Sequence, residues 1–304
     1  RPGSFSDRWI DYCRKKNIPH KLVNCYDNNI IDQLYDCDVL MWHHHHGDYK
    51  DVLFSKQLLF SLEQTGKYVF PDLNTNWHFD DKVGQKYLLE AIGAPLVPSY
   101  VFYLKKDALY WVNETSFPKV FKLRGGAGAS NVKLVKSKTE AIKLVNRAFG
   151  KGFSQFNRFG NLKERFRKYR DGKDTFAGVL KGIGRLIIPT DFAKKHPPEK
   201  GYIYFQDFIP NNKYDVRIII IGNKAYGIKR MVRDNDFRAS GSGNIIYDRH
   251  QIDENCVKIA FNVNRKLNCQ SIAFDFVFDE MGRPLIVEIS YGFAVNAYDS
   301  CPGF

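Results

Sequence analysis

The 304-residue sequence predicts an α/β (α+β) fold, and three observations support this prediction. Residues 1–79 alternate helix and strand signals, which indicates a parallel sheet covered by helices. Residues 271–290 contain two apolar runs joined by the polar turn Asp279–Gly282, the pattern of a strand hairpin. Between residues 202 and 231, further strand-like runs are separated by short turns. The chain therefore combines a parallel layer with antiparallel hairpins.

Composition limits the class of protein. With 44% hydrophobic residues, a chain of this length is large enough for two or three subdomains. The six cysteines include no C-x-x-C pair, which indicates reduced, mostly buried thiols rather than a disulfide framework. No apolar run has transmembrane length and no signal peptide is recognisable, so a cytoplasmic protein is expected. Because Arg1 is not an initiator, we also expect a preceding first strand to be missing from this chain.

The N-terminal elements can be placed in order. Helices are expected at 5–16, 29–35 and 50–66, and strands at 21–25, 38–42 and 67–70. Ligands bind at the carboxyl ends of parallel strands, and the run His43–His46 follows the strand 38–42. We interpret this run as a polar, substrate-facing loop. Metal binding is the lesser alternative, because adjacent histidines in a strand or loop point in different directions.

Two carboxylates interrupt the C-terminal hairpin. Asp275 lies within the first apolar run and Glu288 within the second. A carboxylate among Ile, Val and Phe is costly to bury unless a charge compensates it. Two such groups facing each other across a hairpin form an oxygen-rich site that suits Mg²⁺. The alternative is a pair of solvent-facing acids on an edge hairpin.

A glycine-rich loop lies upstream. Strand-like runs at 117–124 and 131–136 enclose residues 125–130, Gly-Gly-Ala-Gly-Ala-Ser. Glycines let backbone N–H groups approach an anion, and Lys122 can reach a phosphate as a point charge. Because the loop joins strand to strand, it is neither a dinucleotide-binding turn nor a Walker loop, both of which open a helix. The alternative is a mobile turn without a ligand.

Basic side chains accompany these motifs. Asp215 and Arg217 are two residues apart and lie on the same face of an apolar strand. Arg230 and Arg238 add two more cationic groups, the second beside another glycine-rich turn. Each arginine alone could be an ordinary ion-pair partner. Together with the two hairpin carboxylates, they indicate one site that combines cations with metal-binding acids.

The order of these segments resembles the ATP-grasp superfamily, in particular the branch of carboxylate–amine ligases that includes the enzyme adding glutamate to a ribosomal protein. The resemblance extends from about residue 80 to residue 292. The matching segments are Asp81-Lys82 before a helix, Lys122 with the glycine-rich loop, Gln206-Asp207-Phe208-Ile209, Asp215-Val216-Arg217, Asp236-Phe237-Arg238, Asp275 and Glu288-Ile289-Ser290.

The resemblance implies an ATP-grasp fold with three parts. Residues 1–79 would form a parallel α/β pre-ATP-grasp domain. Residues 80–205 would form the central subdomain, with the glycine-rich lid and a basic insertion at about 151–195. Residues 206–304 would form the C-terminal subdomain, and the second and third parts would clamp ATP.

The resemblance also implies nucleotide-binding residues. Lys82 and Lys122 would contact the phosphates of ATP while the glycine-rich loop closes over them. Gln206 and Ile209 would lie at the adenine hinge, and Asp207 stands where a ribose-binding Glu is usual. The implied set is Lys82, Lys122, Gly125, Gly126, Gly128, Ser130, Gln206, Asp207 and Ile209.

Metal and substrate contacts are implied in the same way. Asp275, Glu288 and Ser290 would hold Mg²⁺. The family usually has Asn at the last of these positions, which leaves open whether Ser290 or Asn296 completes the metal site. Arg217, Arg230 and Arg238 would face the acyl-phosphate region and carry the catalytic role.

The activity that follows from the resemblance is ATP-dependent amide formation through an acyl phosphate, with release of ADP and phosphate. The partners would be a small-molecule or peptide carboxylate and an amine acceptor. The alternatives are a small-molecule kinase on the same scaffold and a non-catalytic module that binds ATP or a polyanion. Many relatives form dimers or tetramers, so a homo-oligomer stays open.

Charge adds one further expectation. The net charge is +13, and residues 151–195 contribute +8 through twelve Lys or Arg and four acids. Within a basic helix predicted at 161–170, Phe166 and Tyr169 share a face. We favour a solvated insertion whose aromatic stripe packs down. The alternative is a docking surface for an anionic acceptor such as an acidic sugar or polysaccharide, with nucleic acid disfavoured.

Overall fold

The computed structural model describes residues 4–126, 131–154, 162, 165–166, 169–170, 175–187, 197–233, 236–239, 243–301 and 303–304, with only the backbone for 185–187. The chain divides into two compact units. Unit one comprises residues 1–79, 88–95 and 211–304, and unit two comprises residues 80–87 and 96–210. The division into three parts predicted from the sequence stays a prediction.

The described residues include nine α-helices. They are α1 (Phe5–Lys15), α2 (Ile30–Gln33), α3 (Tyr49–Glu63), α4 (Leu73–Asn76), α5 (Lys82–Ala91), α6 (Lys105–Glu114), α7 (Lys138–Ala148), α8 (Phe176–Ile187) and α9 (Glu254–Leu267). Side chains cap several N-termini: Ser4 accepts from Ser6 N–H at α1, and Asp48 accepts from Lys50 N–H at α3.

Eleven strands are described. They are β1 (Val39–Met41), β2 (Tyr68–Phe70), β3 (Ser99–Phe102), β4 (Lys119–Lys122), β5 (Val132–Val135), β6 (Ile203–Asp207), β7 (Tyr214–Ile221), β8 (Lys224–Met231), β9 (Ile245–Ile246), β10 (Ser271–Phe278) and β11 (Pro284–Ser290). They form sheets of two, four and five strands.

The N-terminal part of unit one has the predicted parallel pairing. Strands β1 and β2 are parallel neighbours, with Leu40 opposite Val69. Helix α3 covers them through Leu58, Leu59 and Leu62, which belong to the same buried cluster.

The structure differs from two of the predictions for the N-terminal region. The strand expected at 21–25 is wrong, because that segment is irregular and buries only Cys25, so it lacks the apolar face that would hold it in a sheet. The helix expected at 29–35 shortens to four residues, Ile30–Gln33.

The larger sheet of unit one is antiparallel and has the order β11-β10-β7-β8-β9. Asp253 caps the N-terminus of helix α9 by accepting from Asn255 N–H, and the helix buries Cys256, Val257 and Ala260. The predicted hairpin is confirmed: β10 and β11 pair across a turn in which Asp279 accepts from Met281 N–H over 2.9 Å. This sheet carries the acidic and basic residues singled out in the sequence.

Unit two contains an antiparallel sheet in the order β3-β6-β4-β5. Its core combines residues of the sheet with the buried faces of α6 and α7, including Val112, Phe121, Val145 and Phe205. The strands predicted on both sides of the glycine-rich loop are β4 and β5, which pair directly.

The basic insertion lies mostly outside the described residues. Those described between 162 and 170 are helical. The expectation that the aromatic stripe packs down is wrong for Phe166 and Tyr169, because both side chains are exposed. Among the helices that the structure describes, none is long and apolar enough to cross a membrane.

Candidate functional site

Two lysines of unit two are almost completely buried. Lys82 opens α5 and is 5% exposed, and Lys122 ends β4 and is 4% exposed. The backbone N–H of Lys82 donates to the Arg124 carbonyl over 3.0 Å, so α5 begins beside the segment that follows β4. The Nζ of Lys82 donates to the Gly126 carbonyl over 3.0 Å. Because a buried ammonium is costly, it needs acceptors or compensating charges.

Polar side chains of the sheet hold Lys122. Its Nζ donates to Gln206 Oε1 over 2.6 Å, and Gln206 Nε2 donates to Ser99 Oγ over 3.0 Å. The Tyr204 hydroxyl donates to the same Ser99 oxygen over 2.9 Å. The pairing of the strands explains this series of hydrogen bonds, since Gln206 of β6 lies opposite Ser99 of β3 and Val120 of β4. Two of the predicted nucleotide-binding residues are therefore in direct contact.

The start of the glycine-rich loop is anchored by carboxylates. The N–H of Gly126 donates to Asp80 Oδ1 over 2.8 Å, and that of Gly125 donates to Glu199 Oε1 over 3.3 Å. Gly126 has a φ of +109°, a conformation that favours glycine. The other two predicted loop residues, Gly128 and Ser130, lie outside the described residues.

Asp207, predicted at the ribose, is part of an ion pair. Its carboxylate accepts from Lys119 Nζ over 2.6 Å, because the two residues lie opposite each other in the pairing of β4 and β6. Burial and the nearby Asp207 charge raise the pKa of Tyr100. The remaining hinge residue, Ile209, follows β6 and is partly buried.

One face of the five-stranded sheet carries a row of charged side chains, which we call the charged face. Asp275 of β10 lies directly opposite Glu288 of β11 and Arg217 of β7. Directly opposed residues of an antiparallel pair share a face. Arg217 donates to both oxygens of Asp275, with 2.6 Å between Nη2 and Oδ2. Ser290 lies opposite Ala273, two residues before Asp275, and therefore shares this face.

Arg230 extends the charged face to β8. It donates to Asp215 through Nε over 2.7 Å and through Nη2 over 2.6 Å, and its Nη2 lies 3.0 Å from Asp275 Oδ2. Asp215 and Arg230 are opposite each other in the pairing of β7 and β8. Two carboxylates and two guanidinium groups thus form one largely buried network.

This network shifts the pKa values of its members. Burial works to raise the pKa of Asp275, but the charges of Arg217 and Arg230 outweigh it and hold that pKa well below its usual range. For Asp215, burial prevails over the attraction of Arg230, and the pKa is raised. Burial also raises the pKa of Tyr298, which lies beside Arg217.

The other predicted metal and catalytic residues lie as follows. Ser290 Oγ accepts from Gly292 N–H over 3.2 Å. Asn296 is exposed in the 3₁₀ turn Val295–Tyr298, and its Oδ1 lies 3.4 Å from Arg8 Nη2. Arg238 pairs with Asp236, with 2.6 Å between Nη2 and Oδ2.

No group of three or more His, Cys, Asp or Glu side chains is arranged to hold a metal ion in the part of the chain that the structure describes. The predicted metal ligands include only two such side chains, together with a serine. The metal site therefore stays a prediction.

The histidine run is anchored inward. His44 is 3% exposed, and its Nε2 lies 2.7 Å from Asn76 Oδ1. Burial lowers the pKa of His44 to about 3, so the ring is neutral at neutral pH. His43 stacks on Phe5 with 3.8 Å between ring centroids. The expectation of a substrate-facing loop is therefore wrong for His44.

Several members of these clusters are absent from the predicted site residues, among them Asp215, Lys119 and Tyr298. The two-residue spacing between Asp215 and Arg217 could have indicated the first. Lys119 shares a face of β4 with Phe121, but that pattern does not identify its partner. Tyr298 lies in an irregular segment, and no sequence pattern places it beside Arg217.

Comparison with known proteins identifies the fold. Residues 196–299 match the family model of a RimK-like ATP-grasp domain. The matched span runs from β6 to the end of the charged face. This part of the chain is similar to a RimK-like ATP-grasp domain, and the predicted resemblance and fold class are confirmed.

Solved structures agree on the fold. D-alanine–D-alanine ligase from Bacillus anthracis aligns with a TM-score of 0.57 and 14% identity, over 96% of this chain and 85% of the other. D-cycloserine synthetase DcsG aligns with a TM-score of 0.57 and 12% identity, over 95% and 87%.

The biotin carboxylase domain of 2-oxoglutarate carboxylase from Hydrogenobacter thermophilus, solved with MgADP, ADP and bicarbonate, aligns with a TM-score of 0.50 and 13% identity. The alignment covers 88% of this chain, which spans about half, 51%, of that longer chain. No curated protein matches the sequence.

Proposed function

We propose that this protein is an ATP-dependent carboxylate–amine ligase that forms an amide through an acyl phosphate and releases ADP and phosphate. The observation that carries this proposal is the burial of Lys82 and Lys122 beside one turn of unit two. Two nearly solvent-free ammonium groups next to a glycine-rich segment are a preformed receptor for phosphate oxygens. The match to an ATP-grasp domain supports ATP as the nucleotide.

In unit two, the proposed nucleotide contacts divide by chemistry. Lys82 and Lys122 would bind phosphate oxygens, and the backbone N–H groups of the glycine-rich loop would add donors. Gln206 orients Lys122 through the 2.6 Å hydrogen bond. The pair of Asp207 with Lys119 fixes the end of β6, where the adenine and ribose contacts are proposed.

In unit one, the residues present fit a magnesium ion. Asp275, Glu288 and Ser290 offer three oxygen donors on the charged face, and Mg²⁺ prefers oxygen ligands. An ionised carboxylate has about four lone-pair directions, so Asp275 can accept from arginines and still offer an oxygen. Mg²⁺ bound there would neutralise charge on the transferring phosphoryl group.

The arginines account for the proposed chemistry. A carboxylate is a poor electrophile, so its oxygen first takes the γ-phosphoryl group of ATP, and ADP leaves. The amine then attacks the carbonyl carbon, phosphate leaves with the C–O bond pair, and the amine loses a proton. Arg217 and Arg230 would stabilise the negative charge of phosphoryl oxygens, with Arg238 as a further donor. Their ion pairs with Asp275 and Asp215 hold the guanidinium groups in fixed orientations.

One observation favours a second candidate, a non-catalytic ATP-binding module. Asp275 is already bound by two arginines, and Ser290 stands where the family usually has Asn. A weakened metal site would preserve nucleotide binding and lower phosphoryl transfer. A small-molecule kinase is the other alternative. Its product would be a phosphorylated metabolite rather than an amide.

Hydroxylamine trapping tests the proposal. The protein is incubated with Mg·ATP, a metabolite extract and hydroxylamine, which converts an acyl phosphate to a stable hydroxamate. We expect hydroxamate together with ADP and phosphate. A phosphorylated metabolite without hydroxamate would identify a kinase. ATP binding with no ADP formed would support the non-catalytic module.

A further inference from the structure

Helix α8 packs through its smallest residues. Gly178, Val179 and Gly182 form its buried side. A Cβ on Gly182 would lie 3.0 Å from both Arg165 Cδ and Leu162 Cδ1, so the helix approaches these side chains closely. Arg165 Nη1 also donates to the Gly178 carbonyl over 3.1 Å. The side of α8 without large residues is therefore the one turned inward.

Another side of α8 exposes large apolar side chains. Phe176, Leu180 and Ile183 are 60%, 52% and 46% exposed. Their spacing of four and three residues places them along one line of a helix. Phe166 and Tyr169 are also exposed, and the rings of Tyr169 and Phe176 lie 6.0 Å apart. We call these five residues the apolar stripe. A contiguous exposed group of this kind indicates an interaction surface.

The segment that carries the apolar stripe is basic in sequence. Lys181 of α8 and Arg170, which follows Tyr169 in the chain, are both exposed. The sequence contains no Asp or Glu from residue 175 to residue 190. Residues 151–195 as a whole carry a net charge of +8. The segment therefore combines exposed apolar side chains with a net positive charge.

We propose that the apolar stripe docks this protein onto the surface of an anionic lipid bilayer. An interfacial helix buries its apolar side at the boundary between headgroups and acyl chains, while Lys and Arg at its edge reach the phosphates. Tyr and Phe are well suited to this boundary. The inference concerns a surface of unit two and does not depend on the ligase activity.

The composition of the apolar stripe favours a bilayer over two other occupants, a soluble polyanion and a second copy of the chain. A soluble polyanion such as an acidic polysaccharide offers charge but no apolar phase, so it leaves Phe176, Leu180 and Ile183 in water. A second copy of the chain would bring two positive surfaces together, and like charges oppose that contact. An anionic bilayer offers both an apolar phase for the stripe and negative charge for the basic side chains.

Vesicle sedimentation with the full chain tests the proposal. Vesicles of phosphatidylcholine alone are compared with vesicles that also contain phosphatidylglycerol. The stripe variant is the triple substitution F176S/L180S/I183S, and the charge variant is R170E/K181E. The matched control L22S/Y35S/M281S removes three exposed apolar side chains from unit one. Thermal unfolding verifies that every variant is folded.

We expect binding to the anionic vesicles and not to the neutral ones. The stripe variant should lose about tenfold or more in partitioning, because three apolar side chains no longer enter the boundary of the bilayer. The charge variant should lose severalfold, and the control should bind like the wild type. No binding to anionic vesicles, or equal binding by the wild type and the stripe variant, would overturn the proposal. Self-association that the stripe variant abolishes, without vesicle binding, would assign the stripe to a second copy.

Discussion

Glu288 lies directly opposite Asp275 in the pairing of β10 and β11, and Asp275 is bound on its other side by Arg217. Two arginines neutralise the charge of Asp275. The neighbouring carboxylate, Glu288, lies on β11, an edge strand of the same sheet. Glu288 is the member of this pair that the proposal assigns chiefly to the metal.

Glu288→Gln should abolish turnover, because an amide is a weaker ligand for Mg²⁺ than a carboxylate. The free energy of unfolding should hold or rise, since one of two adjacent negative charges is removed. Measurement of ADP release and of urea unfolding separates the two effects. Glu280→Gln, in the exposed turn between the strands, is the control. Full activity of the Glu288 variant would remove this residue from the site.

Lys122→Ala should weaken nucleotide binding and lower turnover without unfolding the protein. A hydrogen bond to a charged group contributes about 2 kcal/mol, or about thirtyfold in Kd. Titration calorimetry with Mg·ATP measures this loss. Lys133→Ala, on the exposed side of β5, keeps the overall charge change the same and should bind normally. Equal affinities of the two variants would show that Lys122 does not contact the nucleotide.

Asp275→Asn should destabilise unit one. The amide leaves Arg217 buried without its full countercharge, and breaking a buried ion pair costs about 3–5 kcal/mol. Combining Asp275→Asn with Arg217→Met should recover part of that loss, because the unpaired charge is then absent. Urea unfolding of the wild type, both single variants and the double variant gives the coupling energy. Additive effects would contradict a direct pair.

His44 should make the protein sensitive to acid. Its folded-state pKa of about 3 lies below the ordinary value of 6.5, so the unfolded chain binds a proton first as pH falls. Its contribution to stability is complete above about pH 6.5 and is lost progressively toward pH 3. The loss amounts to at most about 1.4 kcal/mol per pH unit.

The pH dependence is measured by urea unfolding between pH 7 and pH 4. His44→Gln should flatten this dependence, whereas His20→Gln, at an exposed position, should leave it unchanged. If the slopes of His44→Gln and the wild type agree, another group causes the acid sensitivity.

Much of the fold could be predicted from local patterns. The hairpin carrying Asp275 and Glu288 follows from alternation and a turn, which depend only on neighbouring residues. The contact between Lys122 and Gln206 also follows once β4 and β6 are known to pair. The strand predicted at 21–25 failed because apolar residues indicate a strand only when a partner buries them.

Part of the candidate site could not be predicted, because it depends on long-range packing. The ion pairs of Asp275 with Arg217 and Arg230 require the order of three strands, which the sequence does not give. The inward position of His44 depends on Asn76, which lies 32 residues away. Phe166 and Tyr169 are exposed, whereas Arg165 packs close to Gly182 of α8, a contact that local sequence patterns do not reveal.

The central claim is tested most directly by comparing metabolite masses. The protein is incubated with Mg·ATP and a small-molecule extract, and masses are compared with those from a reaction containing the Glu288→Gln variant. The account predicts a new species equal in mass to two metabolites minus water, formed together with ADP and phosphate. A metabolite that gains one phosphate, or ADP formation without any condensed product, would contradict it.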